Sequence, residues 1–251
     1  MLGKLKPWNR WTWSAFGKHP AARDYFQIRL QGPLARAFAQ WVEEGFGQLA
    51  ESSGRNGIYA WRFWSRGLKK GTLACGIGKN SGDGIGRAYP LMLLGEGHLD
   101  GWMRHWHLLP FVLAGTWDRM EYTASKRMTD IRMLEAQLLR IPAPQPHWKD
   151  MAKAVDRELH DRQTQSMAAI ITAEVKQKAS ALTRERKLGI CLDADRRAEP
   201  MLTAGAWHET LAEHLDGPPN TVFLGGNLER PMIVFFNRPL AAEDFVELWS
   251  T

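Results

Sequence analysis

Between Gly76 and Arg87 the chain reads GIGKNSGDGIGR, and glycines beside two cations and a carboxylate are the residue types from which a phosphate cradle is built. Glycine permits positive φ and close backbone approach, so consecutive amides here could form an anion nest, with Lys79 and Arg87 adding charge. The spacing matches neither phosphate fingerprint. A P-loop requires glycine where the chain has Leu73 and Ser or Thr where it has Asn80, and the dinucleotide motif requires glycine at Ser81. The alternative is a strand-to-strand turn held by Asp83 and the glycines.

Other constellations are thinner. His105 and His107 at i, i+2 on a helix would point to different faces, and no third ligand stands at metal spacing. Ser81 lacks the GxSxG elbow of a nucleophile. Asp24 and Asp83 are isolated acids among arginines, the usual setting of a structural ion-pair partner. Cys75 and Cys191 have no CxxC or Cys/His neighbourhood and read as free thiols in a reducing compartment. These residues predict no catalytic centre, no metal and no cofactor.

Several elements must position these residues. Trp11, Trp13 and Phe16, with Trp8 before them, favour an extended opening segment, and Gly17 and Pro20 make 17–24 a loop. After Pro33, Leu34, Phe38, Trp41, Val42, Phe46 and Leu49 follow helical spacing. Strands are expected over Ile58–Leu68, Leu73–Ile77 and Ala88–Leu94, with Gly78–Arg87 as loop. Helices are expected over 102–114 and 127–141, ended by Pro142, Pro144 and Pro146. From Trp148 helix extends almost to Lys187, with its register lost across Arg162–Ser166. Strands over Leu188–Leu192, Val222–Leu224 and Met232–Phe236 follow, punctuated at Gly217-Pro218-Pro219 and Gly225-Gly226, before a closing helix over Ala241–Trp249. This alternation predicts an α/β fold, a layered α/β/α sandwich around a mixed or mostly antiparallel sheet. We expect a single domain over 1–251, with 11–141 carrying the motifs and 147–251 packed on the same core.

Composition excludes several classes. The 251 residues, 44% hydrophobic and 24% charged, exclude disorder and small disulfide scaffolds. The longest apolar runs fall short of the roughly 18 residues of a membrane span. Lys4, Lys6 and Pro7 interrupt any secretory h-region, so the chain reads as unexported. Of the net charge of +6, residues 1–90 hold 14 Lys/Arg against 5 Asp/Glu, while the remainder is slightly acidic. No zinc-finger, RNP or basic-zipper pattern accompanies that charge, so nucleic acid is not the expected partner.

Three blocks resemble a known family. Gly17-Lys18-His19-Pro20 with Asp24-Tyr25-Phe26 is similar to the GKxPxxGDF opening of the TagF (ImpM) family, accessory proteins of bacterial type VI secretion. Ser81-x-Asp83-x-x-Gly86-Arg87-x-x-Pro90-Leu91 resembles its SxDxxGRxxPL signature, and Trp61-Arg62-Phe63 its W-R-F strand. Arg238-Pro239-Leu240 and Glu243-Asp244-Phe245 resemble its ending more weakly, and Arg23 stands where the family commonly has glycine. The resemblance implies a cytoplasmic protein without catalytic activity that tunes assembly of the secretion apparatus after translation. Its implied partners are type VI components, including a forkhead-associated-domain scaffold and the kinase and phosphatase branch. The motif residues so implied are Lys18, Pro20, Asp24, Phe26, Trp61, Arg62, Ser81, Asp83, Gly86, Arg87 and Pro90.

Two roles are open for them. Asp24 and Arg87 would form a bidentate pair fixing the 17–24 loop against the glycine-rich turn, with Asp83 bonding turn amides. Alternatively Lys18, Arg23 and Arg87 surround a groove for an acidic or phosphorylated partner segment. The rival function is a phosphate- or nucleotide-handling enzyme using residues 76–87.

Overall fold

A computed structural model describes residues 11–51, 57–161, 178–192, 200–227 and 229–250. The expectations for Met1–Lys6, Trp8 and the break across Arg162–Ser166 lie outside the described residues. In chain order the elements are β1 (Thr12–Gly17), β2 (Phe26–Ile28), α1 (Pro33–Glu51), β3 (Tyr59–Arg66), β4 (Thr72–Lys79) and β5 (Leu91–His98). A 3₁₀ turn (Trp106–Leu108) leads into α2 (Leu109–Ser125), α3 (Ile131–Leu138) and α4 (Trp148–Asp161), followed by helical residues 178–185 (α5). The chain then forms β6 (Lys187–Cys191), α6 (Pro200–Ala212), β7 (Thr221–Asn227), β8 (Pro231–Phe236) and α7 (Ala242–Leu248).

The eight strands of the described residues join one open sheet in the order β2-β1-β5-β4-β3-β7-β8-β6, and every pairing is antiparallel. The period of two along each strand divides the core between two faces. Tyr59, Trp61 and Phe63 of β3, with Met92 and Leu94 of β5, face α1 and α7 through Phe38, Trp41, Phe245 and Trp249. Trp64, Leu91 and Leu93 face the opposite layer, where Leu113 and Trp117 of α2, Leu134 of α3, Val155 of α4 and Trp207 of α6 cover them. The fold is therefore a layered α/β sandwich with a wholly antiparallel sheet. Each fully buried Leu or Phe contributes roughly 1.5–3 kcal/mol of transfer free energy, so both layers are anchored mainly by apolar burial.

Several boundaries differ from expectation for identifiable reasons. The helix expected over 102–114 starts at Leu109 instead, because Pro110 lacks an amide hydrogen and takes the first turn. The helix expected from 127 starts at Ile131, where the Asp130 carboxylate caps it by accepting from Arg132 N at 2.9 Å. Strand β5 begins at Leu91 rather than Ala88, since the preceding residues serve the loop described below. Gly225-Gly226, expected as a break, lies inside β7 at φ +136° and +116°, and a Cβ on Gly225 would overlap Ala60 O on neighbouring β3. Helix α6 is not among the expected elements: its buried stripe Ala204, Trp207, His208 and Leu211 mixes a histidine into the apolar pattern, beside Gly205.

Candidate functional site: a buried aspartate joining two loops

Strand pairing brings the motif loops together. β1 and β5 are neighbours in a register that places Gly17 opposite Leu91, so the connection leaving β1 and the one entering β5 emerge side by side. Gly17 sits at φ +117°, where a Cβ would overlap Pro90 O. Only glycine allows β1 to end so close to that carbonyl.

The centre of the site is Asp83, whose side chain is fully buried. Its Oδ1 accepts from the amides of Ile85 at 3.2 Å and Arg87 at 3.0 Å. Its Oδ2 lies 2.7 Å from Arg87 Nε and 3.1 Å from Lys18 Nζ. Burial alone would raise the Asp83 pKa, but the Arg87 amide, the Lys18 and Arg87 side chains and the Ile85 amide overcome it and hold the carboxyl far below the usual range. Gly86 closes the turn at φ +84° and donates its amide to Asp83 O at 2.9 Å.

Besides the Lys18–Asp83 pair, three contacts tie this turn to the first loop. Gly84 N donates to Ala22 O at 2.9 Å, and Arg87 Nη2 donates to Arg23 O at 3.0 Å. Arg87 Nη2 also meets Asp24 Oδ2 at 3.0 Å. The Asp24–Arg87 pair thus exists, but it is a single contact rather than the expected bidentate one. Arg87 gives its Nε to the buried Asp83, whereas the Asp24 side chain is 63% exposed. Asp24 takes the amide of Tyr25 at 2.7 Å, which with Arg87 and Lys18 lowers its pKa against a smaller opposing burial effect. Lys18 reaches Asp24 at 3.8 Å. His19 is buried, and burial followed by the charge of Lys79 pushes its pKa down; its Nδ1 accepts from Ala21 N at 3.1 Å.

The glycine-rich loop is thereby an occupied nest. The amides of Asp83, Gly84, Ile85, Gly86 and Arg87 all donate within the protein, those of Ile85 and Arg87 to the carboxylate of the protein's own Asp83 and the other three to backbone carbonyls. No group of three or more His, Cys, Asp or Glu with metal-holding geometry occurs among the described residues. Among them no helix is long and apolar enough to cross a membrane.

The structure gathers Lys18, Asp24, Asp83, Gly86 and Arg87, with Pro20 exposed at the rim and Pro90 buried beneath Gly17. Phe26 opens β2 opposite Gly17. Trp61 and Arg62 lie elsewhere and on opposite faces of β3. Trp61 Nε1 donates to Leu248 O at 3.0 Å; Arg62 forks onto Glu121 of α2 through Nε and Nη2, both at 2.7 Å, and reaches Asp118 at 2.8 Å. A second buried aspartate repeats the design near the C-terminus. Asp244 accepts bidentately from Arg238 at 2.6 and 2.7 Å and from Ala241 N at 2.8 Å. Its pKa is lowered because these partners outweigh burial. The Arg-Pro-Leu and acidic-Phe blocks were legible, but their pairing was not.

A family model described as the TagF N-terminal domain, type VI secretion system-associated, matches residues 14–141. No curated protein sequence matches. Among solved structures, PA0076 from Pseudomonas aeruginosa PAO1 is similar in fold, with a TM-score of 0.53 and 14% identity over 95% of this chain and 94% of that one.

Proposed function

Since the chain belongs to the TagF N-terminal-domain family associated with type VI secretion, we propose that it is a non-enzymatic cytoplasmic accessory protein. In this reading it regulates the secretion apparatus after translation through protein–protein contacts. Its partners are type VI components, among them a forkhead-associated-domain scaffold and the associated kinase and phosphatase branch. The whole chain acts as one domain, and Lys18, Asp24, Asp83, Gly86 and Arg87 are its structural keystone.

One observation carries the reading. The glycine-rich loop, which has the residue types for phosphate chemistry, satisfies its amides internally around Asp83, and this argues against the nucleotide-handling alternative. The two loops it joins present exposed Pro20, Arg23, Ile85 and Arg87 as a composite surface. The test is affinity purification of the tagged protein from its native cytoplasm. Type VI components should co-purify, and nucleotides should leave the melting temperature unchanged. Recovery of no secretion component, together with stabilisation by a nucleotide in proportion to its concentration over Kd, would overturn the reading.

A further inference from the structure

The end of the sheet opposite the Asp83 cluster carries a set of cations that the ion pairs described above do not use. β3 and β4 are joined there by a tight turn over residues 67–71, in which Gly67 N donates to Thr72 O and Thr72 N to Lys69 O, both at 3.0 Å. Gly71 permits the turn at φ +79°. Arg66, Lys69 and Lys70 are exposed around it, and Leu68 stands among them 76% exposed. A recess of 230 Å³ beside Met103 is lined by all three cations and by no carboxylate. Of the acids nearby, Glu96 faces the charge of Lys69 and Asp100 lies 2.7 Å from His98 Nε2. Arg66 and Lys70 form no side-chain ion pair among the described residues.

The start of β1 supplies the second observation. Thr12 pairs with Glu96 on β5, while Thr72 of β4 pairs with His98, so the chain enters the sheet at this same end. β1 and β4 flank β5, which sets them roughly 10 Å apart. Trp11, stacked on Trp13 at 5.7 Å and lying over Gly97, fixes the point of entry. The sequence preceding it, MLGKLKPWNR, adds Lys4, Lys6 and Arg10 with Leu2, Leu5 and Trp8, and contains no acid.

We propose that this end of the molecule docks on an anionic phospholipid surface, with Leu68 entering the interface and Arg66, Lys69, Lys70, Lys4, Lys6 and Arg10 meeting lipid phosphates. Such a set falls within the roughly four to eight cations by which proteins recognise anionic bilayers. Composition favours a bilayer over an acidic polypeptide. Most of these cations are lysines, point charges without the planar fork that selects a carboxylate. The arginines that this protein commits to carboxylates, Arg62 and Arg238, use that fork. A leucine left exposed at a turn between cations, and a tryptophan in the basic segment, are the apolar anchors of a lipid interface.

The test is flotation of the full chain with vesicles of phosphatidylcholine alone or with about 30 mol% phosphatidylglycerol, at about 0.1 M salt. The protein should float with the anionic vesicles only, and about 0.5 M salt should release it. Arg66→Gln, Lys69→Gln and Lys70→Gln together should weaken vesicle binding about a hundredfold, and Leu68→Ser about threefold to tenfold. All four side chains are exposed, so both variants should keep the melting temperature of the parent. Equal flotation with neutral vesicles, no flotation with anionic ones, or indifference to Leu68→Ser overturns the proposal. Release by millimolar inorganic phosphate at constant ionic strength overturns it in favour of a free-anion site. Tighter capture by polyglutamate than by anionic vesicles overturns it in favour of an acidic polypeptide. The vesicles contain no secretion component, so this docking and the accessory role fail separately.

Discussion

Asp83 and Asp24 share the cations Lys18 and Arg87, yet burial divides their importance. Asp83→Asn leaves Lys18 and Arg87 facing a neutral amide in a closed site, and the melting temperature should fall by roughly 5–10 °C. Asp24→Asn removes a solvent-screened contact and should shift it by less than about 2 °C. Equal effects in thermal denaturation would show that the cluster is not centred on Asp83. Acid sensitivity has its own residue-scale source in His208, which is wholly buried against Trp64, Trp106 and Phe235. Its Nε2 accepts from Trp64 Nε1 at 3.2 Å, so its Nδ1 donates to Ala204 O at 2.7 Å and the ring is neutral. Burial pushes its pKa from 6.5 down to about 3, against the opposing Ala204 hydrogen bond. Below pH 6.5 only the unfolded chain takes up this proton, so stability is complete above 6.5 and declines by about 1.4 kcal/mol per pH unit as pH falls toward 3. His208→Gln should flatten the dependence of stability on pH between 6.5 and 4, measured by urea unfolding.

At the scale of elements, α1 contains an internal control. Gly45 faces α7, where a Cβ would overlap Phe245, while Gly47 is exposed and a methyl group added there would meet nothing within 4 Å. Gly47→Ala should stabilise the protein by about 0.5–1 kcal/mol through helix propensity. Gly45→Ala should destabilise it by about 1–3 kcal/mol, because the α1–α7 contact must open. Denaturant midpoints of the two variants moving in the same direction would contradict this packing. The apolar stripe of α1 was legible from Leu34 to Leu49, since 3.6-residue spacing needs no knowledge of a partner. Which of its glycines faces α7 was not, because that depends on a helix some two hundred residues away. The 17–24 and 76–87 loops show the same division. Their turn character followed from glycine and proline, whereas the choice of Asp83 over Asp24 as the centre required the β1–β5 register.

For the molecule as a whole, the sheet does not respect the family match. That match ends at residue 141, yet β3 is paired along its length with β7, from Tyr59–Asn227 to Ser65–Thr221. Phe63 and Phe223 pack at 5.4 Å across that seam. A fragment of residues 11–141 would expose β3 as an apolar edge and lose the α7 cover over Trp61, a template for aggregation. It should be insoluble or lack a cooperative melting transition, while the full chain should unfold in a single calorimetric transition. A soluble, cooperatively folding fragment would establish two domains instead of one.

By itself the amino-acid sequence determined the layered α/β class, the positions of most strands and helices, the family resemblance and the absence of a recognisable catalytic motif. These are properties of local pattern: periodicity of two or 3.6, turn residues, and motif spacing along the chain. Tertiary structure alone decided that the sheet is wholly antiparallel, that Asp83 rather than Asp24 holds the two loops, and that Arg62 and Trp61 serve opposite layers. It also decided that the β3–β4 turn and the start of β1 share one end of the sheet. Each depends on register between strands remote in sequence, and register is set by the joint burial of both faces, a quantity that no single segment contains.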